Sequence, residues 1–171
     1  NNIVVSTVMS NYGFKQAIEK FNFDLIETPV GDKYVAEAMK KYDAALGGEQ
    51  SGHIIISDQL PVGDGLVTLI YVLKAMQHFG VALSDFKREN LYEYPQKLTN
   101  LELENKLNDE ELEYINQIAL DMSIKKDLDG RYLIRNSGTE PLLRVLVEAK
   151  SNEAMEEFSN ELITKINKYL N

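Results

Sequence analysis

No cysteine occurs in the 171 residues, which excludes a disulfide framework, a thiolate metal site and a cysteine nucleophile. Histidine is almost missing too: His53 and His78 are the only two, so a histidine-rich metal centre is excluded. Four prolines and ten glycines are too few for a collagenous or low-complexity chain. No apolar run approaches the roughly 20 residues that cross a bilayer, and no basic start marks a secretory signal, so the expected location is the cytoplasm. Positive charge is in the minority, with 18 Lys and Arg against 27 Asp and Glu and a formal net charge of −9. A surface that acidic repels phosphate backbones and anionic lipid, and neither nucleic acid nor membrane is an expected partner.

What remains is the balance of a globular chain, 44% hydrophobic and 26% charged, long enough for one domain or two small ones. It opens with Asn1-Asn2 and a β-branched run instead of Met, which reads as the interior of a longer protein; the alternative is a processed or trimmed terminus. Residues 3–8 and 23–28 have strand composition, and 11–21 carries Phe14, Ala17, Ile18 and Phe21 at helical spacing. Asp32 is the expected N-cap of a helix with Val35, Ala38, Met39 and Tyr42 inward. Residues 44–46 and 53–57 read as short strands flanking the loop Gly47-Gly48-Glu49-Gln50-Ser51-Gly52. Gly63-Asp64-Gly65 caps a helix to about Phe79 that is apolar almost all round and hence expected to be deeply buried. This alternation predicts an α/β layer with a mostly parallel sheet over residues 1–88.

Residues 89–100 read as a linker, since residues 87–100 are polar and aromatic without an apolar helical period. Residues 101–171 then predict a small α+β domain. Asn108 and Glu111 form a capping-box pattern ahead of a helix facing inward with Leu112, Ile115, Ile118, Ala119 and Met122. Two strands, 131–135 and 142–148, are joined by a turn, and a last helix over 152–169 turns Met155, Phe158, Leu162, Ile166 and Tyr169 inward.

Arginine is scarce, yet three of the four, Arg131, Arg135 and Arg144, fall within 14 residues. Between them lies Asn136-Ser137-Gly138-Thr139-Glu140-Pro141. A positive φ at Gly138 would turn successive N–H groups inward as an anion nest. The Ser137 and Thr139 hydroxyls add donors, and the planar forks of Arg135 and Arg144 suit phosphate. The alternative is a surface hairpin with solvated arginines. In the earlier loop, Glu49 and Ser51 share a face of an extended turn, where a carboxylate accepts hydrogen bonds from neighbouring sugar hydroxyls. The alternative there is a flexible loop with a solvated Glu. His53 is either a proton carrier or a backbone-bonded residue, and His78 is expected to be structural. Lys33 either contacts an anion at a helix N-terminus or is solvated. Asp64 is expected to cap rather than bind metal, as no second carboxylate lies beside it.

Gly31-Asp32-Lys33-Tyr34-Val35, GGEQSGHI, GDGL and RNSGTEPLLRV, in this order, resemble the α-D-phosphohexomutases along the whole chain. The closest likeness is to their bacterial amino-sugar branch. Members have four domains, and the resemblance implies that this chain comprises the third and fourth. It further implies a sugar-binding set of Glu49, Ser51, His53 and Lys33, and a phosphate-binding set of Arg135, Ser137, Gly138, Thr139 and Arg144. The implied reaction interconverts glucosamine 6-phosphate and glucosamine 1-phosphate through a 1,6-bisphosphate, with a phosphoserine and Mg²⁺ held in the two preceding domains. Those domains and the phosphosugar are the implied partners. Neither a Ser-His-Asn-Pro loop nor an Asp-Gly-Asp loop occurs here, so the chain alone is expected to be catalytically silent, with no catalytic or metal residue of its own. Some relatives carry a Lys near Met9 and a His at Asp32, and those acid/base roles do not transfer. Competing expectations are a phosphoglucomutase or phosphomannomutase of the same family, a stand-alone phosphosugar-binding module, and a purely structural interaction domain.

Overall fold

Val4 and Val5 sit in β1 (Ile3–Thr7), one of the two inner strands of the first sheet. The computed structural model describes residues 2–170 and divides after Glu93 into two units. In the first, the strand order is β2-β1-β3-β4, with β2 at Asp24–Thr28, β3 at Leu46–Gly48 and β4 at Ile54–Ile56. β2 and β3 run parallel to β1, and only β4 is antiparallel. The crossovers are helices, α1 (Tyr12–Lys20) capped by the Asn11 side chain and α2 (Asp32–Tyr42). Parallel neighbours need such crossovers because a hairpin cannot join them. Val35 and Met39 of α2 pack with Val5 and Ile55 into the core. Gly47 makes that approach possible: a Cβ there would collide with the Met39 and Val35 side chains.

Several boundaries differ from expectation. Gly47 and Gly48 belong to β3, so the loop proper is 49–53. The N-cap of α2 is Gly31 at φ 136°, and Asp32 is the first helical residue. Tyr42 lies at the surface. α3 (Gly65–Phe79) starts as expected, with Asp64 accepting from the Val67 amide at 2.8 Å, but none of its residues is buried. It packs on β4, and its C-terminal Phe79 meets Phe86. The expected linker is largely structured: α4 occupies Leu83–Asn90 and β5 begins at Gln96. Aromatic packing explains α4, since Phe86 lies 6.2 Å from the Phe21 ring and 5.7 Å from Phe79.

The second unit is an antiparallel sheet of order β5-β7-β6, with β5 at Gln96–Glu102, β6 at Gly130–Asn136 and β7 at Leu142–Ala149. α5 (Asp109–Lys125) opens on a complete capping box, in which Asn108 and Glu111 exchange bonds of 2.9 and 2.8 Å. Its Ile115, Ala119 and Met122 join Leu143, Val145 and Val147 of β7 and Phe158, Leu162 and Ile166 of α6 (Asn152–Leu170) in one core. Tyr169 is not part of it; it stays exposed, its ring 4.6 Å from Tyr114. No single described helix is long and apolar enough to cross a membrane.

Candidate functional site

The parallel strands β1, β2 and β3 end on the same side, and the segments leaving them line a cleft of about 500 Å³ that includes Thr7, Met9, Gly31, Asp32, Glu49, Gln50, Ser51 and His53. Open α/β sheets bind ligands at such strand ends. Glu49 is not solvated: its side chain is 9% exposed. One carboxylate oxygen, Oε1, accepts the Gly31 amide at 2.9 Å. The other, Oε2, lies 3.6 Å from His53 Nδ1, which in turn is 3.3 Å from Ser51 Oγ. Bonds between Glu49 and His53 (2.9 Å) and from Gly52 to Glu49 (3.0 Å) close the loop beneath them. Glu49, Ser51 and His53 therefore lie together at one lip of the cleft, and the Glu49 carboxylate keeps free acceptor sites.

Lys33 is not brought into the cleft; it is well exposed and lies 3.9 Å from Glu37 on its own helix, while Asp32 takes the lining position. Two contributors escape sequence reading. The Gly31 amide orients Glu49, and buried Ser6 binds both the Gly48 carbonyl at 2.9 Å and the Ser10 hydroxyl, tying the exit of β1 to the root of the Glu49 loop. A polar residue inside the apolar run 3–8 was the available signal for Ser6. Gly31 carries a specific cost if changed, because its φ of 136° is open essentially to glycine alone. Gly31→Ala is expected to lower the stability of the first unit by about 1–3 kcal/mol, read from urea unfolding.

In the second unit, Arg135 of β6 and Arg144 of β7 are direct cross-strand partners. Like charges placed opposite each other destabilise a ladder. Burial first, and then the Arg144 charge, hold the Arg135 pKa below its usual value. The nearest acid to Arg144 is Glu140, at a loose 3.9 Å. The Ser137 hydroxyl and Arg144 Nε are both buried without a hydrogen-bond partner among the described residues. Orphaned buried donors of this kind call for an explanation, and an anionic ligand is one. Lys106 adds a third cation by donating to the Gly138 carbonyl at 2.6 Å, and Asn136 bonds the Leu107 backbone in both directions, at 3.3 and 2.8 Å.

The expected anion nest is corrected in one respect. Gly138 has no positive φ, and the Ser137 amide is spent on the Leu142 carbonyl at 2.7 Å. The turn thus offers side chains, with Gly138 and Thr139 exposed at its tip. Arg131 is set apart from the other two because it pairs with buried Glu148. His78 meets the Phe79 ring edge-on at 5.0 Å and lies outside both sites. Among the described residues, no three His, Asp or Glu side chains gather to hold a metal ion.

A mostly parallel α/β unit with a carboxylate loop at its strand ends is followed by an antiparallel α+β unit with opposed arginines, a tandem of two α/β-class domains. Residues 1–94 match the profile described as phosphoglucomutase/phosphomannomutase, alpha/beta/alpha domain III, and residues 98–165 match the C-terminal domain of the same family. The chain belongs to the phosphoglucomutase/phosphomannomutase family. It is 43% identical to the phosphoglucosamine mutase of Bacillus subtilis (strain 168) over 94% of its own length and 36% of the relative's. For the phosphoglucosamine mutase of Streptococcus agalactiae serotype Ia the values are 46%, 91% and 35%. The chain therefore spans about a third of the curated relatives it matches. Aspergillus fumigatus N-acetylphosphoglucosamine mutase, solved in complex with GlcNAc-6P and magnesium, shares the fold with a TM-score of 0.79 at 19% identity, over 99% of this chain and 39% of that one.

Proposed function

We propose that this chain is the sugar- and phosphate-binding part of a phosphoglucosamine mutase, which interconverts glucosamine 6-phosphate and glucosamine 1-phosphate through a 1,6-bisphosphate. The observation that carries the reading is the Arg135–Arg144 opposition beside an unsatisfied Ser137 hydroxyl. A phosphate dianion cancels the repulsion and supplies the missing acceptors in one step. Glu49, with Ser51 and His53, then reads hydroxyls on the sugar. Because the bisphosphate must turn end for end, the arginine pair has to accept either phosphate. Positioning and charge neutralisation of this kind account for most of the catalysis in phosphoryl transfer. The phosphoserine and the Mg²⁺ that neutralises the transferring group belong to parts of the protein outside residues 1–171, so this chain alone turns over no substrate.

The test is an amide NMR titration of the chain with glucosamine 6-phosphate and, separately, inorganic phosphate. The sugar phosphate is expected to shift both Ser137–Thr139 and Glu49–Gly52, and inorganic phosphate the first group alone. Silence at Ser137–Thr139 with both ligands would sink the reading. Relative kcat/KM of the full-length protein on glucosamine, glucose and mannose phosphates separates the amino-sugar assignment from the other mutases of the family.

A further inference from the structure

Helix α3 is built for burial and is not buried. Leu66, Leu69, Ile70 and Leu73 are 74, 53, 51 and 54% exposed. Their spacing of i, i+3, i+4 and i+7 places them on one stripe, about 10 Å long at 1.5 Å per residue. The flanking row of Thr68, Val72 and Met76 is the partly covered one. Lys74 is the one charged residue in the helix apart from His78, so this stripe has none of the charge that normally keeps a surface helix wet. An exposed apolar stripe of this kind on a soluble domain marks an interaction surface.

We propose that the Leu66–Leu69–Ile70–Leu73 stripe is the docking face for the rest of the full-length protein, the portion outside residues 1–171. The relatives leave room for that occupant, since the chain accounts for only 36 and 35% of their lengths. The size of the stripe favours it as well. Stable contacts between separate molecules bury roughly 1,200–2,000 Å² in total, more than four side chains on two turns of helix supply. A covalently tethered domain meets the stripe at an effective concentration in the millimolar range and needs far less area. A lipid surface fits poorly, because α4 follows at a 75° bend and carries Asp85, Lys87, Arg88 and Glu89 within its eight residues. The inference rests on family membership and on this helix; the choice of sugar substrate does not enter it.

Hydrogen exchange of α3, measured in the 171-residue chain and in the full-length protein, tests the proposal together with Leu69→Glu and Leu73→Glu in both. In the full-length protein the α3 amides should exchange at least about tenfold more slowly than in the short chain. The glutamates should leave the short chain's melting point unchanged, since those side chains already face water, and should abolish the extra protection in the full-length protein; Leu69→Met should retain it. Equal exchange in the two wild-type proteins overturns the proposal, and that comparison stands even if a glutamate variant fails to fold. Two other outcomes also overturn it. One is a concentration-dependent dimer of the full-length protein that Leu69→Glu dissociates, and the other is Leu69-dependent flotation of the full-length protein with phosphatidylglycerol vesicles.

Discussion

Replacing Arg135 by Ala in the full-length protein should raise KM for the proposed sugar-phosphate substrate roughly 10–100-fold, on the scale of about 1.5–3 kcal/mol for hydrogen bonds to a charged group. The same change should not lower stability. Arg135 faces Arg144 directly across the ladder, so truncating it removes a repulsion and no favourable ion pair of Arg135 among the described residues. Cross-strand pairs are worth about 0.2–1 kcal/mol, and a small gain in melting temperature is the expected direction. This combination, weaker binding with an unchanged or firmer fold, separates a ligand-directed arginine from a structural one. Arg135→Lys keeps the charge but loses the bidentate fork, and should fall between wild type and Ala in KM. Inorganic phosphate as a competitive inhibitor supplies the cross-check: its inhibition constant should rise in step with KM. A fall in stability without a change in KM would reverse the assignment.

The three clustered arginines show how far the residues alone could be read. Their position beside Ser137 was visible as a string, but not their division of labour, because Glu148 lies across the ladder from Arg131 and strand register is not written in a motif. Lys106 is invisible for the same reason, reaching Gly138 from 32 positions away. Local signals were reliable where local chemistry decides: the Asn108–Glu111 box, the Asp64 cap and the strand–helix alternation of the first unit are all set by neighbouring residues. Gly47 and Gly48 misled in an instructive way. Glycine suggests a loop, yet at Gly47 the missing side chain serves a strand by letting Met39 and Val35 come close. Helix α3 misled most, since its composition reflects what a helix needs around it, and this chain supplies only one side. At Glu49 the sequence shows a carboxylate in a glycine-rich segment, but its orientation depends on the Gly31 amide, 18 residues distant.

Glu148→Ala should be among the most destabilising single changes in the second unit. Glu148 is fully buried on β7, and its carboxylate is bonded to the Arg131 guanidinium, which is itself largely covered. Removing one partner of a buried pair leaves the other charge uncompensated and costs about 3–5 kcal/mol. In a unit of this size roughly 4–8 °C of melting temperature accompanies each kcal/mol, so a loss of more than 10 °C is expected by calorimetry. Arg131→Ala should cost less, because that side chain keeps some access to water, and the double variant should cost less than the sum of the two. Replacing both by apolar residues of similar volume, Arg131→Met with Glu148→Leu, should recover most of the stability, since a buried ion pair holds little net advantage over good apolar packing. Arg144 and Glu148 project from the same face of β7, four residues apart, yet they should respond to opposite measurements. Changes at Glu148 should move the melting temperature and leave the phosphate affinity of the folded protein alone, whereas Arg144→Ala should weaken phosphate binding with little thermal cost. If Glu148→Gln instead weakens phosphate binding at a temperature where the variant is fully folded, then Arg131 belongs with the anion-binding arginines, and the separation of the three into one structural and two ligand-directed residues fails.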